Sequence, residues 1–249
     1  MYRHVRSQLT RTDFEFISNT IGKNASERSA ILQQSDDAEY VTEMLHRREL
    51  FERSITTPPL FLSISPQLFF YVFVYQALDT KHLADDDVVD YVAGICVEFR
   101  ANNALWQLGS TEGGKTLYMV DMLNLLCDVD KHRQYFLRRH IGNASLFLTG
   151  FFPDFIFKRY KQNGAPGIEY YERIGRSQYE TAAESSHAYD QHATPVLNTL
   201  ADRFIDIRSA INLYTDAYLD LRNRKNSLDM IERQAATLDE ESFRQSLDL

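Results

Sequence analysis

Apolar residues recur at helical spacing along almost the whole chain. Between residues 36 and 55, one face collects apolar side chains at intervals of three and four residues, among them Val41, Met44, Leu45 and Phe51. No segment shows the period-two alternation that is typical of a half-buried strand, and no internal repeat occurs. The pattern predicts an all-α fold, a bundle of about eight or nine helices.

Residues that favour helix ends support several boundaries. Thr12 is a candidate N-cap for a helix from Asp13 to Ile21, and Ser65-Pro66 is typical of an N-cap followed by proline in the first turn. The stretch TTPPL at 56–60 should end the preceding helix, because proline disfavours helical geometry at the residue before it. Pro153 followed by Asp154 predicts another helix start.

The most regular apolar pattern lies near the C-terminus. Nine residues from 193 to 221 alternate spacings of four and three, which is the a/d pattern of a heptad repeat and predicts one long C-terminal helix. They are Ala193, Leu197, Leu200, Phe204, Ile207, Ile211, Tyr214, Tyr218 and Leu221. This seam either packs against the protein's own bundle or forms a symmetric dimer with a second copy.

Composition suits a globular protein with a sizeable core. The chain has 249 residues, of which 44% are hydrophobic and 25% charged, and no Gly-, Ser- or Pro-rich linker divides it. We therefore expect one helical domain over residues 1–237 and an acidic tail over 238–249. Cys96 and Cys127 lie in apolar stretches without a spacing motif, so we expect both to be buried free thiols.

Charge and hydropathy limit the classes of partner and the cellular location that we expect for this protein. The formal net charge of −8 disfavours nucleic-acid binding, because a phosphate backbone would be repelled on average. The apolar runs at 68–78 and 144–157 are shorter or more interrupted than the ~20 apolar residues that span a bilayer. The N-terminal stretch lacks the apolar core of a signal peptide. We expect a cytoplasmic protein without a membrane span.

The octapeptide GSTEGGKT at 109–116 matches the phosphate-binding loop G-x-x-x-x-G-K-T. Gly109, Gly114, Lys115 and Thr116 are therefore candidate nucleotide-binding residues. Such a loop works where a buried parallel strand leads into a helix N-terminus, so that backbone N–H groups surround the phosphates. The preceding segment RANNALWQL is a poor strand, so a flexible helix–helix connection is the preferred interpretation.

Two Glu-x-x-His pairs, Glu43 with His46 and Glu184 with His187, resemble the inward-facing ligands of dimetal helical bundles. Helical geometry places His46 about 160° from the apolar face of its predicted helix, at ~100° per residue. We therefore expect His46 to face water, and we expect no bound metal and no cofactor.

The segments RRHIGNASLFLTGFFPDF and YYERIGRSQYETAA resemble an uncharacterised family of helical bacterial proteins with a G-x-x-S-L-F-x-x-G-F-F-type segment followed by Y-Y-x-x-x-G-x-x-x-Y. The resemblance covers about residues 118–185 and implies a bacterial cytosolic origin, but no activity. Within this region a ligand pocket is conceivable, although structural roles for its polar side chains are the alternative. Its candidate residues are Arg139, His140, Asn143, Tyr171 and Tyr179.

These observations favour a non-enzymatic helical protein that acts through contacts with a protein partner or with a second copy of itself. The first alternative is a nucleotide-binding enzyme that uses Lys115 and Thr116. The second is a helical protein that binds a small molecule or a metal. The basic, aromatic stretch FKRYK at 157–161 is a place where an acidic partner could bind.

Overall fold

The structure is a computed structural model that describes residues 4–58, 63–100 and 119–219. In these three ranges the regular structure is entirely helical, which confirms the all-α prediction. The expected number of eight or nine helices is too low, because the described residues form thirteen α-helices. In the same ranges, no helix is both long and apolar enough to cross a membrane.

The α-helices follow a short 3₁₀ helix, Val5–Gln8, and precede a π-helical turn, Thr215–Leu219. In chain order they are α1 Arg11–Ile21, α2 Ala25–Gln33, α3 Ala38–Leu45, α4 Arg48–Thr56, α5 Pro66–Asp79, α6 Asp86–Phe99, α7 Met119–Leu125, α8 Lys131–Phe151, α9 Pro153–Asn163, α10 Ile168–Ala183, α11 Ser186–Asp190, α12 Thr194–Asp202 and α13 Phe204–Tyr214.

The chain divides into two compact units, residues 1–97 (unit 1) and residues 98–249 (unit 2). In unit 1, α1 packs on α2 and α4, α4 packs on α5, and the 3₁₀ helix packs on α5. In unit 2, α8 and α10 form the main helix pair, α12 packs on α10, and α13 packs on α8. The single domain over 1–237 stays a prediction, and the acidic tail at 238–249 lies outside the described residues.

The first helix begins slightly earlier than the sequence predicted. Thr10, not Thr12, is the N-cap: its hydroxyl accepts from the Asp13 backbone N–H, and the Asp13 carboxylate accepts from the Thr10 backbone N–H. The same carboxylate also accepts from the backbone N–H of Ser65, at 2.6 Å. Ser65 in turn caps α5 through Leu68, as predicted. One buried aspartate thus connects the starts of α1 and α5.

The helix expected over residues 36–55 is two helices, α3 and α4, separated by a short turn at His46 and Arg47. The two helices do not continue one buried face: at ~100° per residue, the buried Leu50 would lie about 180° from the buried Val41 on a single helix. Helix α2 was not predicted at all. Asn24 caps it, yet Ile31 is its one buried residue, so it lacks the apolar stripe on which the prediction depended.

The expected long C-terminal helix is also interrupted. α12 ends at Asp202 and α13 starts at Phe204, and Arg203 between them has φ −106° and ψ 17°. These dihedrals lie outside the helical region and end α12 before α13 begins.

A further correction concerns the thiols: Cys96 is buried as expected, whereas Cys127 is exposed.

Candidate functional site

The four candidate nucleotide-binding residues, Gly109, Gly114, Lys115 and Thr116, lie outside the described residues. The nucleotide-binding hypothesis therefore stays a prediction. The described parts of the chain contain no strand from which a phosphate-binding sheet could be built.

Two of the five predicted pocket residues form a buried pair between α8 and α10. The Tyr179 hydroxyl donates to the Asn143 side-chain oxygen at 2.9 Å, and the Tyr179 ring is fully buried. Gly142 lies directly against this ring: a Cβ atom there would be 2.7 Å from it. Such an approach leaves no space for a side chain, so this pair supports close packing of α8 on α10.

The other three predicted pocket residues have different neighbours. Arg139 lies over the Tyr135 ring and donates to the Gln191 side chain at 3.3 Å. His140 meets the Phe99 ring edge-on. Tyr171 is buried and packs edge-on against Tyr170. These contacts supply partners within unit 2 and support structural roles for the five residues.

The C-terminal heptad residues lie mostly inside unit 2. Seven of the nine are at most 7% exposed, namely Ala193, Leu197, Leu200, Phe204, Ile207, Ile211 and Tyr214. Tyr218 is 37% exposed, and Leu221 lies outside the described residues. The seam faces α8 and α10 of the same chain. It is therefore covered by the protein's own core along α12 and α13.

His46 does not face open water, contrary to the expectation. Its ring stacks on Tyr75 with 3.9 Å between centroids, and its Nε2 lies 2.9 Å from an Asp86 carboxylate oxygen. The prediction failed because it considered one helix alone, whereas Tyr75 of α5 and Asp86 of α6 lie beside the His46 ring. His187, from the second Glu-x-x-His pair, packs its ring against His132 and Tyr135. Among the described residues, no group of three or more His, Cys, Asp or Glu side chains could hold a metal ion.

The contact between His46 and Asp86 borders a cleft in unit 1 of about 850 Å³, which we call the acidic cleft. This volume is in the range of small-ligand sites, roughly 300–1,000 Å³. Of the described residues, five carboxylates and one guanidinium line it, together with two histidines and several smaller side chains. The charged and histidine residues are His4, Arg6, Asp36, Glu39, Glu43, His46, Asp86 and Asp87.

One wall of the acidic cleft is held by Asp90, which is fully buried on α6. Its carboxylate accepts from the His4 ring at 2.9 Å and from the backbone N–H groups of Val5 and Arg6 at 3.0 and 2.9 Å. The Arg6 guanidinium then reaches Asp87 at 3.2 Å and Thr42 at 3.2 Å. A buried charge needs such a set of donors, and they fix residues 4–6 at the edge of the cleft.

The carboxylates of the acidic cleft divide into two groups. Asp86 and Asp87 are paired with Arg6, and Asp86 also with His46. The second group is Asp36, Glu39 and Glu43, which are exposed and which no ion pair within the described part of the chain uses; Glu39 and Glu43 lie one turn apart on α3. The cleft is therefore negative overall, and its chemistry suits a positively charged group. Sequence reasoning missed this cleft, because nothing in the local pattern places Arg6 or His46 beside Asp86 and Asp87.

Comparisons with protein-family models, with curated proteins and with solved structures found no match to this chain. The resemblance over residues 118–185, and the bacterial origin that it implies, therefore stay predictions. A function for this protein therefore has to be inferred from the geometry of the described residues.

Proposed function

We propose that this protein is a non-enzymatic helical protein that acts through protein contacts, and that its acidic cleft receives a positively charged segment of the partner. One observation carries the proposal: five carboxylates and a single guanidinium line one cleft. Glu39 and Glu43 offer charge that no ion pair among the described residues neutralises, while Phe14 and Val41 provide apolar contact beside it.

The charge of the whole chain supports the same partner chemistry. A net charge of −8 attracts cationic segments from a distance and raises their rate of encounter, and the cleft concentrates this field locally. A lysine or arginine side chain could lie with its aliphatic part on the apolar wall and its charged end among the carboxylates.

A fluorescein-labelled peptide of alternating lysine and aromatic residues tests the proposal. In the control peptide, glutamate replaces each lysine. We expect the basic peptide to bind the full chain, measured by fluorescence anisotropy, and the acidic peptide not to bind. The double variant Glu39→Lys/Glu43→Lys should lower the affinity for the basic peptide by about tenfold or more, because two attractive contacts become repulsive.

Glu180→Lys/Glu184→Lys is the matched control. These two glutamates are also exposed and one helical turn apart, but they lie at the end of α10 in unit 2. The control changes the net charge by the same amount and should leave most of the binding intact. Equal loss in both variants would show that the peptide responds to overall charge, and the assignment to the acidic cleft would then be wrong.

A further inference from the structure

Helix α9 presents two aromatic rings and two lysines on one exposed face, which we call the α9 face: Phe157, Lys158, Tyr160 and Lys161. Phe157 is 60% exposed and Tyr160 is 51% exposed. Contiguous exposed apolar surface often marks an interaction site.

One lysine and the two rings of the α9 face lie together. The Lys161 ammonium lies 5.6 Å from the centroid of the Phe157 ring and 5.9 Å from that of Tyr160. Ile156 is buried in unit 2 and forms part of the core side of α9. Asp154 lies one turn earlier at the helix N-terminus, where the helix dipole favours an anion. The C-terminal half of the face is cationic and aromatic.

We propose that the α9 face of one copy binds the acidic cleft of a second copy. This inference rests on the proposed function, since it names the positively charged segment that the cleft receives. Its argument is charge complementarity between two surfaces of the same chain: Lys158 and Lys161 on one side, Glu39 and Glu43 on the other. The aromatic rings match Phe14 and Val41 in the cleft lining.

The proposed contact does not involve the C-terminal heptad seam. The heptad seam, which was the sequence-based candidate for a dimer, is covered by α8 and α10 of its own chain. The α9 face and the acidic cleft are different surfaces, so a single contact between two copies leaves one unused surface of each kind in the pair. If both contacts form at once the pair closes as a two-fold dimer, and otherwise further copies add to give rings or open chains.

Light scattering of the full chain over a series of concentrations tests the inference. At low salt the average mass should rise above one chain with concentration, and at about 300 mM salt it should return toward one chain, because exposed charges are screened within about 10 Å or less. Lys158→Glu/Lys161→Glu and Glu39→Lys/Glu43→Lys should each weaken association by about tenfold or more. An equimolar mixture of the two variants should associate again, since the reversed cleft of one matches the reversed face of the other.

Lys23→Glu/Lys81→Glu is the control for the α9 variant, because it changes the net charge equally at two exposed lysines of unit 1 that do not line the cleft. It should associate like the unaltered chain. Two results would overturn the inference: a mass of one chain at all concentrations at low salt, or a mixture of variants that fails to associate.

The two proposals fail separately. If the basic peptide binds the cleft while the full chain stays at one copy, the self-association is wrong and the proposed function stands. If neither the peptide nor a second copy binds, both are wrong. Binding of the α9 face to phosphatidylserine vesicles, lost in Lys158→Glu/Lys161→Glu, with a constant mass of one chain, would assign the face to an anionic membrane and also overturn the inference.

Discussion

At the scale of single residues, two fully buried tyrosines differ in the hydrogen bonding of their hydroxyl groups. Tyr179 in unit 2 donates to Asn143 at 2.9 Å. Tyr71 in unit 1 is equally buried, but its hydroxyl has no hydrogen-bond partner among the described residues. The Arg6 guanidinium lies 5.9 Å from the Tyr71 ring centroid, above the face and away from a hydrogen bond. A buried polar atom without a partner carries its full desolvation cost.

Replacing these tyrosines with phenylalanine should therefore have opposite consequences. Tyr71→Phe should leave the free energy of unfolding unchanged or raise it by about 1 kcal/mol, since it removes a hydroxyl that gains nothing from burial. Tyr179→Phe should lower it by about 1–2 kcal/mol, because the buried Asn143 loses a donor. Denaturant unfolding of both variants measures the difference, and a larger loss for Tyr71→Phe would contradict this account of the core.

The burial of Tyr71 also predicts a pH dependence of the chain's stability. Burial raises the pKa of the Tyr71 hydroxyl above its ordinary value. The unfolded chain releases this proton as the pH passes about 10, whereas the folded chain keeps it, so the contribution of Tyr71 to stability falls as the pH rises further. Between about pH 9 and pH 11, the unaltered chain should lose more stability than Tyr71→Phe does. Parallel stability curves for the two proteins would contradict the prediction.

At the scale of helices, close approach at glycines joins α8, α10 and α13. A Cβ atom at Gly175 would lie 2.5 Å from the Phe204 ring and 2.9 Å from the Ser145 side chain. Phe204 begins α13 and is fully buried, and its ring also packs near Tyr179. The heptad spacing identified Phe204 as inward-facing, and the glycine opposite explains how its ring fits.

Phe204→Ala should lower the free energy of unfolding by ~3–5 kcal/mol, because it removes a large ring from a packed core and leaves a cavity. The loss should be independent of protein concentration, since the seam faces the protein's own helices. Leu213→Ala is the control on the same helix: Leu213 is 60% exposed and its truncation should change stability little. Unfolding at two protein concentrations measures both effects, and a concentration-dependent loss for Phe204→Ala would favour a dimer seam.

At the scale of the whole molecule, the all-helical fold bears on the nucleotide hypothesis. A phosphate-binding loop is normally supported by a parallel sheet, and the described residues contain no strand. The net charge of −8 also disfavours an anionic ligand. Both observations support our proposal that GSTEGGKT connects segments without binding phosphate.

A fluorescent ATP analogue with magnesium tests that proposal on the intact chain. We expect no saturable binding at micromolar concentrations, and we expect Lys115→Ala to match the unaltered protein in both titration and stability, because a lysine without a phosphate to hold contributes little. Micromolar binding that disappears in Lys115→Ala would replace the proposed function with the nucleotide-binding alternative.

Local chemistry was sufficient to predict the fold class and several helix ends. Ser65, Pro66 and Pro153 stand where the sequence placed them, because capping and proline geometry depend on neighbouring residues alone. The inward side of the C-terminal heptad likewise followed from residue spacing. The breaks at His46 and Arg203 did not. Across Arg203 the buried residues keep their spacing of three and four, so the apolar pattern gives no sign of the break.

The acidic cleft depended on the tertiary structure. Arg6, His46 and Asp86 are far apart in sequence, and each has an ordinary local role that gives no sign of the others. Their meeting depends on how α3 and α6 are placed around residues 4–8, which is set by core packing and by the buried Asp90. Local propensity determines where helices form, whereas long-range packing determines which of their polar side chains share a site.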